Sequence, residues 1–370
     1  MQKEVDMKAK FTYLDHNYRP LDERPFPDYE PFGMKDMVDK YSMATRVLYR
    51  YSRPYPRPFV IVASRSCPFN CSFCVHGHDR PKYRTRSLEN IMGEIKENYE
   101  KYHFNILILL DELFAVGKER MGDFCDGIQR GREQFGWRFD WCFQTHANAR
   151  LDAVALARAK KEGCFNFSYG FESASPTILR SMNKRIKPEQ IAKAIQLAHQ
   201  VGLNFSANIL FGDPAETRET FLESLSFYFQ HCRAACVFLS YLQPYPGSKV
   251  FHDINFPDKK KFYETIGQTQ YNMTKMPMEE FNLLMNFTRY IETSWAWPER
   301  TTGYAKEEDS NDPIVKAYNM KMYGIKFTCP YCKREGKSRQ FFPQINRDTF
   351  IGTNCTHCGK RIRVDIKEEN

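Results

Sequence analysis

From residue 59 onward the chain alternates between short, continuous apolar runs and longer stretches in which apolar residues recur at helical spacing. The runs fall at 59–64, 105–110, 139–145, 165–171, 204–211 and 236–242. Helical spacing follows at 88–102, 118–134, 152–162, 188–200 and 217–231, with Gly163 and Gly202 as stop signals. Short apolar strands between amphipathic helices predict an α/β fold of parallel strands covered by helices. Right-handed crossovers wind such units into a barrel or an open sheet. Six units are too few for the closed eight-unit barrel. Periodicity alone leaves a partial barrel and a doubly wound sheet both open. In either, the chemistry belongs at the C-terminal ends of the strands.

The flanks differ from this core. Residues 1–52 form an extension rich in Pro, Asp, Tyr and Phe, with one helix-like stretch at 34–51. The alternating core occupies 53–255. Residues 256–320 read as a charged helical segment, most apolar at 273–297. From 321 to 370 the character changes again. Cys329, Cys332, Cys355 and Cys358 form two C-x2-C knuckles about two dozen residues apart, with strand-like runs at 340–345 and 362–366. That spacing fits a tetrahedral zinc ribbon, a small β module; an auxiliary iron–sulfur cluster is the alternative. With all four ligands present, a zinc here is structural. A module under ~50 residues has too little core to fold without a metal or disulfides.

Composition narrows the class. At 370 residues the chain holds one large domain and a small one. Hydrophobic content of 42% and charged content of 27% are those of a globular protein and exclude a disordered chain. No apolar run approaches the roughly 18 residues of a membrane span, and the N-terminus has no apolar signal core. Twelve cysteines, seven of them in metal-type spacings, suit a reducing compartment, so a cytoplasmic location is expected. A net charge of +9 without a dense basic block does not indicate nucleic acid.

The candidate chemistry lies directly after the first apolar run. Cys67, Cys71 and Cys74 stand in Ser66-CPFNCSFC-Val75, a C-x3-C-x2-C triplet. A cuboidal four-iron cluster capped by three thiolates keeps one iron open for a small molecule. A zinc knuckle would pair its cysteines in C-x2-C halves instead. Three further polar stretches end predicted strands: Asp111-Glu112-Leu113-Phe114, Tyr169-GFES-Ala174 and Asn208-ILFGDPAET. A fourth, Gln243-PYPGS-Lys249, follows the sixth strand. Gln144, His146, Asn148 and Arg150 alternate along one face of the third and either line a cavity or form a polar strand end.

These stretches together resemble the radical S-adenosylmethionine superfamily, and Arg65-SCPFNCSFC resembles its cobalamin-associated branch, which usually has Gly where this chain has Ser66. The resemblance covers residues 26–251. It implies a partial (β/α)6 barrel. It implies a 4Fe-4S cluster on Cys67, Cys71 and Cys74 that reductively cleaves S-adenosylmethionine to a 5′-deoxyadenosyl radical, which abstracts hydrogen from an unidentified substrate. An external electron donor such as flavodoxin or ferredoxin is implied too. By the same resemblance Asp111 and Glu112 accept from the ammonium of S-adenosylmethionine, Glu172 lies at its ribose or methionine end, and Asn208 and Gly212 contact it. Pro244 belongs to the segment that flanks the adenine. As capping acids, Asp111, Glu112 and Glu172 would be structural instead; Glu216 reads as a structural acid. Methyl transfer is the commonest activity of the branch. Residues from Phe26 resemble the linker that follows a cobalamin-binding domain, but the sequence has no Asp-x-His-x-x-Gly run. Cobalamin is therefore expected only through a separate domain or chain. The alternative class is a non-catalytic metal-binding protein that acts through its ribbon.

Overall fold

The computed structural model describes residues 20–40, 56–75, 82–254, 259–265, 271–294, 298–311 and 313–369. Six parallel strands form its centre: β1 Pro58–Ile61, β2 Ile106–Leu109, β3 Asp140–Arg150, β4 Cys164–Glu172, β5 Asn204–Phe211 and β6 Cys236–Tyr241. They lie side by side in chain order, and each is parallel to the next. A three-residue strand, Ala115–Gly117, adds to β3. Order without a reversal means that every crossover steps the same way, and the sheet curls into a half-barrel. This settles the choice that periodicity left open.

The helices on the outer face form where local sequence starts and stops them. α1 Leu88–Tyr102 is capped by Ser87, whose hydroxyl accepts the Asn90 N–H at 3.1 Å. α2 Lys118–Phe135 ends at Gly136 in the left-handed region. α3 Ala153–Lys161 is capped by Asp152, which accepts the Ala155 N–H at 2.9 Å. α4 Pro176–Ser181 and α5 Pro188–Val201 both begin on proline, where the missing N–H costs nothing. α6 Arg218–Phe227 starts at a Thr217 capping box.

Between sheet and helices the core is aromatic. Phe104, Trp137, Phe139, Trp141, Phe167 and Phe205 are fully buried there. Phe143 stacks on Phe167 at 5.3 Å, and Phe124 meets Trp141 edge-on at 4.9 Å. The inner face of the half-barrel is polar and open, so β3, β4 and β5 alternate rather than running apolar on both faces. The free edge of β6 is covered by α7 Met278–Ser294, whose Glu292 accepts the Leu239 N–H at 2.6 Å. No helix of the described residues is long and apolar enough to cross a membrane.

The C-terminal sheet departs from expectation. Five strands pair in the order β9-β8-β7-β11-β10, where β7 is Arg300–Glu308, β8 Lys321–Thr328, β9 Glu335–Phe342, β10 Phe350–Asn354 and β11 Arg361–Glu368. The segment 256–320, read as helical, therefore contains a strand. β7 pairs antiparallel with β8 and parallel with β11. Its inward positions are Gly303 and Ala305, too small to register as an apolar alternation. The glycine is required, because a Cβ there would lie 2.4 Å from Val364.

Candidate active site

The cysteine loop leaves β1 at its C-terminal end. Ser64–Arg65 pairs antiparallel with Arg84–Thr85, so the chain departs and returns at one point. Ser66 sits at φ 66°, a left-handed conformation that is cheap for glycine and costly for serine. Cys71 is buried, Cys67 and Cys74 are half-buried, and none of the three is in a disulfide. The loop is tied to two distant elements. The Ser72 N–H donates to Met182 O at 2.9 Å, the Ser72 hydroxyl to Ser181 O at 3.1 Å, and the Asn183 amide to Asn70 O at 2.6 Å. The Val250 N–H donates to Ser72 O at 3.0 Å. The loop thus bridges from β1 to the segments after β4 and β6, across the top of the half-barrel. His76 and His78, which follow the cysteine loop in sequence and read as supporting or surface residues rather than ligands, lie outside the described residues.

The acids past β2 divide in role. Asp111 is buried; its carboxylate accepts the Ser64 hydroxyl at 2.5 Å and the Ala63 N–H at 3.2 Å. Burial raises its pKa against those bonds. Asp111 therefore ties β2 to the root of the cysteine loop. Glu112 is half-buried, and its charge is felt at Cys67.

Glu172 ends β4 at φ 65°, where the register with β5 slips. Its carboxylate is held at 3.0 Å by Lys184, a lysine that the sequence reading did not single out. Both side chains are almost fully buried. Burial pulls the Lys184 ammonium down, but Glu172, then Cys71 and Cys67, outweigh it, and the net shift is upward. Gly170 makes room for the pair: a Cβ there would lie 2.7 Å from the Glu172 carboxylate and 2.8 Å from Lys184 Nζ. Lys184 comes from a loop twelve residues further on, inside the basic run Asn183-KRIK, so no periodicity marks it.

A cavity of about 190 Å³ opens on the inner face below this pair, lined by Gln144, Ser168, Glu172, Ser206, Asn208 and Phe238 among others. Asn208 lies in register between Gly170 and Phe238 with its side chain exposed. Gly212, at φ 94°, donates its N–H to the buried Glu216 and leaves space for Phe281 of α7. Asp213 beside it accepts the Ser181 hydroxyl at 2.6 Å. Pro244 follows β6 in a turn closed by the Ser248 N–H on Tyr245 O at 3.0 Å. Gln144 reaches the cavity, whereas His146 is buried under the cysteine loop. A smaller cavity of about 110 Å³, between residues 21–29 and α1, touches only Ser64 and Arg65 of the loop's root and none of these acids.

Burial pushes the Cys71 thiol up to about 11, with Lys184 pulling the other way. Such thiols keep their protons at neutral pH unless a metal replaces them. Among the described residues, the group of three or more His, Cys, Asp or Glu side chains whose ligand atoms all lie within 4.8 Å of one another is the C-terminal tetrad. Three thiols on one loop suit a cluster that places an iron before each and keeps a fourth iron open.

The tetrad is the opposite case. Cys329 and Cys358 sulfurs are 3.8 Å apart, and those of Cys332 and Cys355 3.7 Å. A tetrahedron with Zn–S bonds of about 2.3 Å has edges of ~3.8 Å. The tetrad docks at the N-terminal ends of the barrel strands. Lys160 Nζ donates to Gly202 O at 2.6 Å and to His357 O at 3.0 Å, and the Arg361 N–H donates to Ala234 O at 2.8 Å. The two cysteine sites thus occupy opposite ends of the barrel.

Residues 61–228 match the Radical SAM superfamily. An uncharacterized methyltransferase of Pyrococcus horikoshii is 32% identical over 244 residues, 63% of this chain and 48% of that protein. The bacteriochlorophyllide d C-8(2)-methyltransferase of Chlorobaculum tepidum is 26% identical over 247 residues, 63% of this chain and 51% of that one. The chain spans about half the length of the curated relatives it matches. Among solved structures, the radical S-adenosylmethionine methyltransferase TsrM of Kitasatospora setae aligns with a TM-score of 0.44 and 18% identity, over 53% of this chain and 36% of that one.

Proposed function

We propose that the chain is a radical S-adenosylmethionine enzyme, a reading supported by its match to the Radical SAM superfamily and by its methyltransferase relatives, and that it transfers a methyl group to an unidentified substrate. Cys67, Cys71 and Cys74 hold a 4Fe-4S cluster with one open iron. When bound, that cluster supplies the electron that cleaves S-adenosylmethionine and the site that holds its amine and carboxylate. The chain's own residues do the rest. Asp111 fixes the root of the loop through Ser64 and Ala63. Glu112 accepts from the ammonium, and Glu172, steadied by Lys184, accepts from the ribose hydroxyls. Asn208 borders the same cavity, the Gly212 backbone lets the chain approach the ligand closely, and the turn at Pro244 offers main-chain groups to the adenine. Methyl transfer is favoured by the names that the Pyrococcus and Chlorobaculum relatives carry. Cobalamin, if the reaction uses it, is brought by a separate domain or chain.

The observation that carries this reading is the loop itself: three cysteines outside any disulfide at the C-terminal end of β1, beside a buried Glu172–Lys184 pair. The tetrad binds one zinc and braces the barrel floor. The test is anaerobic reconstitution with iron, sulfide and a reductant, with and without cobalamin, followed by S-adenosylmethionine. We expect 5′-deoxyadenosine with methionine or, where cobalamin carries the methyl, S-adenosylhomocysteine. Neither product from a protein that has taken up a cluster removes the assignment.

A further inference from the structure

His146 lies two residues beyond Gln144 on the same face of β3, in register with Gly170 of β4. Gln144 at that face is exposed, yet His146 is only 5% exposed. The cover is Phe69, from the cysteine loop between Cys67 and Cys71. The two rings stack with centroids 3.8 Å apart and planes at 14°. Phe69 in turn presents its backbone N–H to the Cys67 sulfur. A ring on the barrel wall therefore holds the residue whose amide supports a thiolate.

The imidazole is fixed as well as stacked. Its Nδ1 accepts the Asn148 N–H at 3.1 Å, which places the ring proton on Nε2. That Nε2–H is buried and, among the described residues, has no partner. Burial, with the Lys184 ammonium added, keeps the ring neutral. A phenyl ring would stack on Phe69 as well. What imidazole adds is one oriented donor beside Lys184, and buried donors without acceptors are rare enough to require a reason.

We propose that His146 positions the cysteine loop through Phe69 and offers its Nε2–H to an oxygen of the S-adenosylmethionine held between that loop and Glu172. The inference rests on the radical reading above and assigns a residue to it. Its two parts separate in two variants of the reconstituted protein, with zinc in the tetrad as the folding control. His146→Ala removes ring and donor. We expect it to release iron to a chelator several-fold faster than wild type and to shift the cluster's midpoint potential. His146→Phe keeps the ring. It should retain iron and potential as wild type does, yet bind S-adenosylmethionine about tenfold more weakly in an equilibrium titration. Wild-type iron retention and potential in His146→Ala would overturn the positioning role. Wild-type affinity in His146→Phe would overturn the donor role. A wild-type loop that takes up no cluster sinks the radical reading and this inference with it, a result visible before any variant is made.

Discussion

The barrel carries a cysteine site at each end, and the two are built by opposite rules. At the C-terminal ends of the strands, three thiols sit on an irregular loop among buried charges: Asp111, Glu172, Lys184, Asp213 and Glu216. Four residues there, Ser66, Glu172, Asn183 and Arg185, hold left-handed backbone without being glycine. At the N-terminal ends, four sulfurs converge on one point, and the seam with the barrel uses glycine where left-handed backbone is needed. A Cβ on Gly202 would lie 2.2 Å from His357 O, and one on Gly359 2.8 Å from Leu203. Left-handed non-glycine backbone and buried charge collect around the cysteine loop; beside the tetrad, among the described residues, Lys333 alone holds such a conformation, at φ 61°. One cysteine set has three members among buried charges and the other four that converge, the difference expected between the proposed working site and a structural one.

The sharpest test of that division exchanges the losses. Replacing Cys67, Cys71 and Cys74 by Ala should abolish the visible absorbance of the reconstituted cluster and leave one zinc per chain. Replacing Cys332 and Cys355 by Ala should remove the zinc, destabilise residues 300–368 and leave the cluster spectrum in place. Zinc supplies folding energy to such a sheet directly. Elemental analysis reads both. Iron in the tetrad, or a cluster lost with it, would erase the contrast between the two ends.

The seam can be broken without touching a ligand. Gly202→Ala adds a methyl that meets a ribbon carbonyl and forces left-handed backbone on alanine. We expect a loss of about 2–4 kcal/mol in denaturant unfolding, with cluster content unchanged. A neutral result would mean that the ribbon is only loosely attached to the barrel.

Much of this arrangement is legible in the sequence, for physical reasons that stop at identifiable places. The six barrel strands are bounded by caps such as Ser87 and Asp152 and by stops such as Gly202, all local signals. β7 is hidden because its inward side chains are Gly303 and Ala305. Lys184 is hidden because its meaning lies in a partner on another element, and a lysine in a basic run looks solvated. The alternation at Gln144, His146, Asn148 and Arg150 marks a face, but nothing local says that Phe69 covers one member of it. Pattern reports what a residue does to its own element; contacts across the barrel top are fixed only by the fold.

The buried acids at the active end make a smaller prediction. Burial pushes the Glu216 carboxyl up to about 8; the nearby Asp213 adds to this, and the Gly212 N–H opposes it. In the unfolded chain the same group loses its proton near ~4.3. Between those values the folded state keeps a proton that the unfolded state has released, so stability falls as pH rises. Glu216→Gln still accepts from Gly212 and cannot ionise. It should match wild type near pH ~5 and exceed it by about 1–3 kcal/mol near pH ~9. Parallel stability curves for the two proteins would show that Glu216 is ionised in the fold.

The smallest effect tests whether strain at the active end is a cost or a neutral accident. Ser66 is buried at φ 66° immediately before Cys67. The left-handed conformation costs a residue with a Cβ about 1–2 kcal/mol, while glycine gives back about 0.5–1 kcal/mol through the freedom of its unfolded chain. Ser66→Gly should therefore stabilise the protein by about 0.5–1 kcal/mol, and the equivalent relief is not on offer at the seam, where glycine already stands. The cluster spectrum and its midpoint potential should stay as in wild type, since the backbone path is unchanged. A gain in stability with a shifted potential would mean that the serine side chain acts on the cluster as well. A loss of stability would mean that the hydroxyl contributes more than the strain costs, and the contrast between the two ends would then rest on Glu172, Asn183 and Arg185.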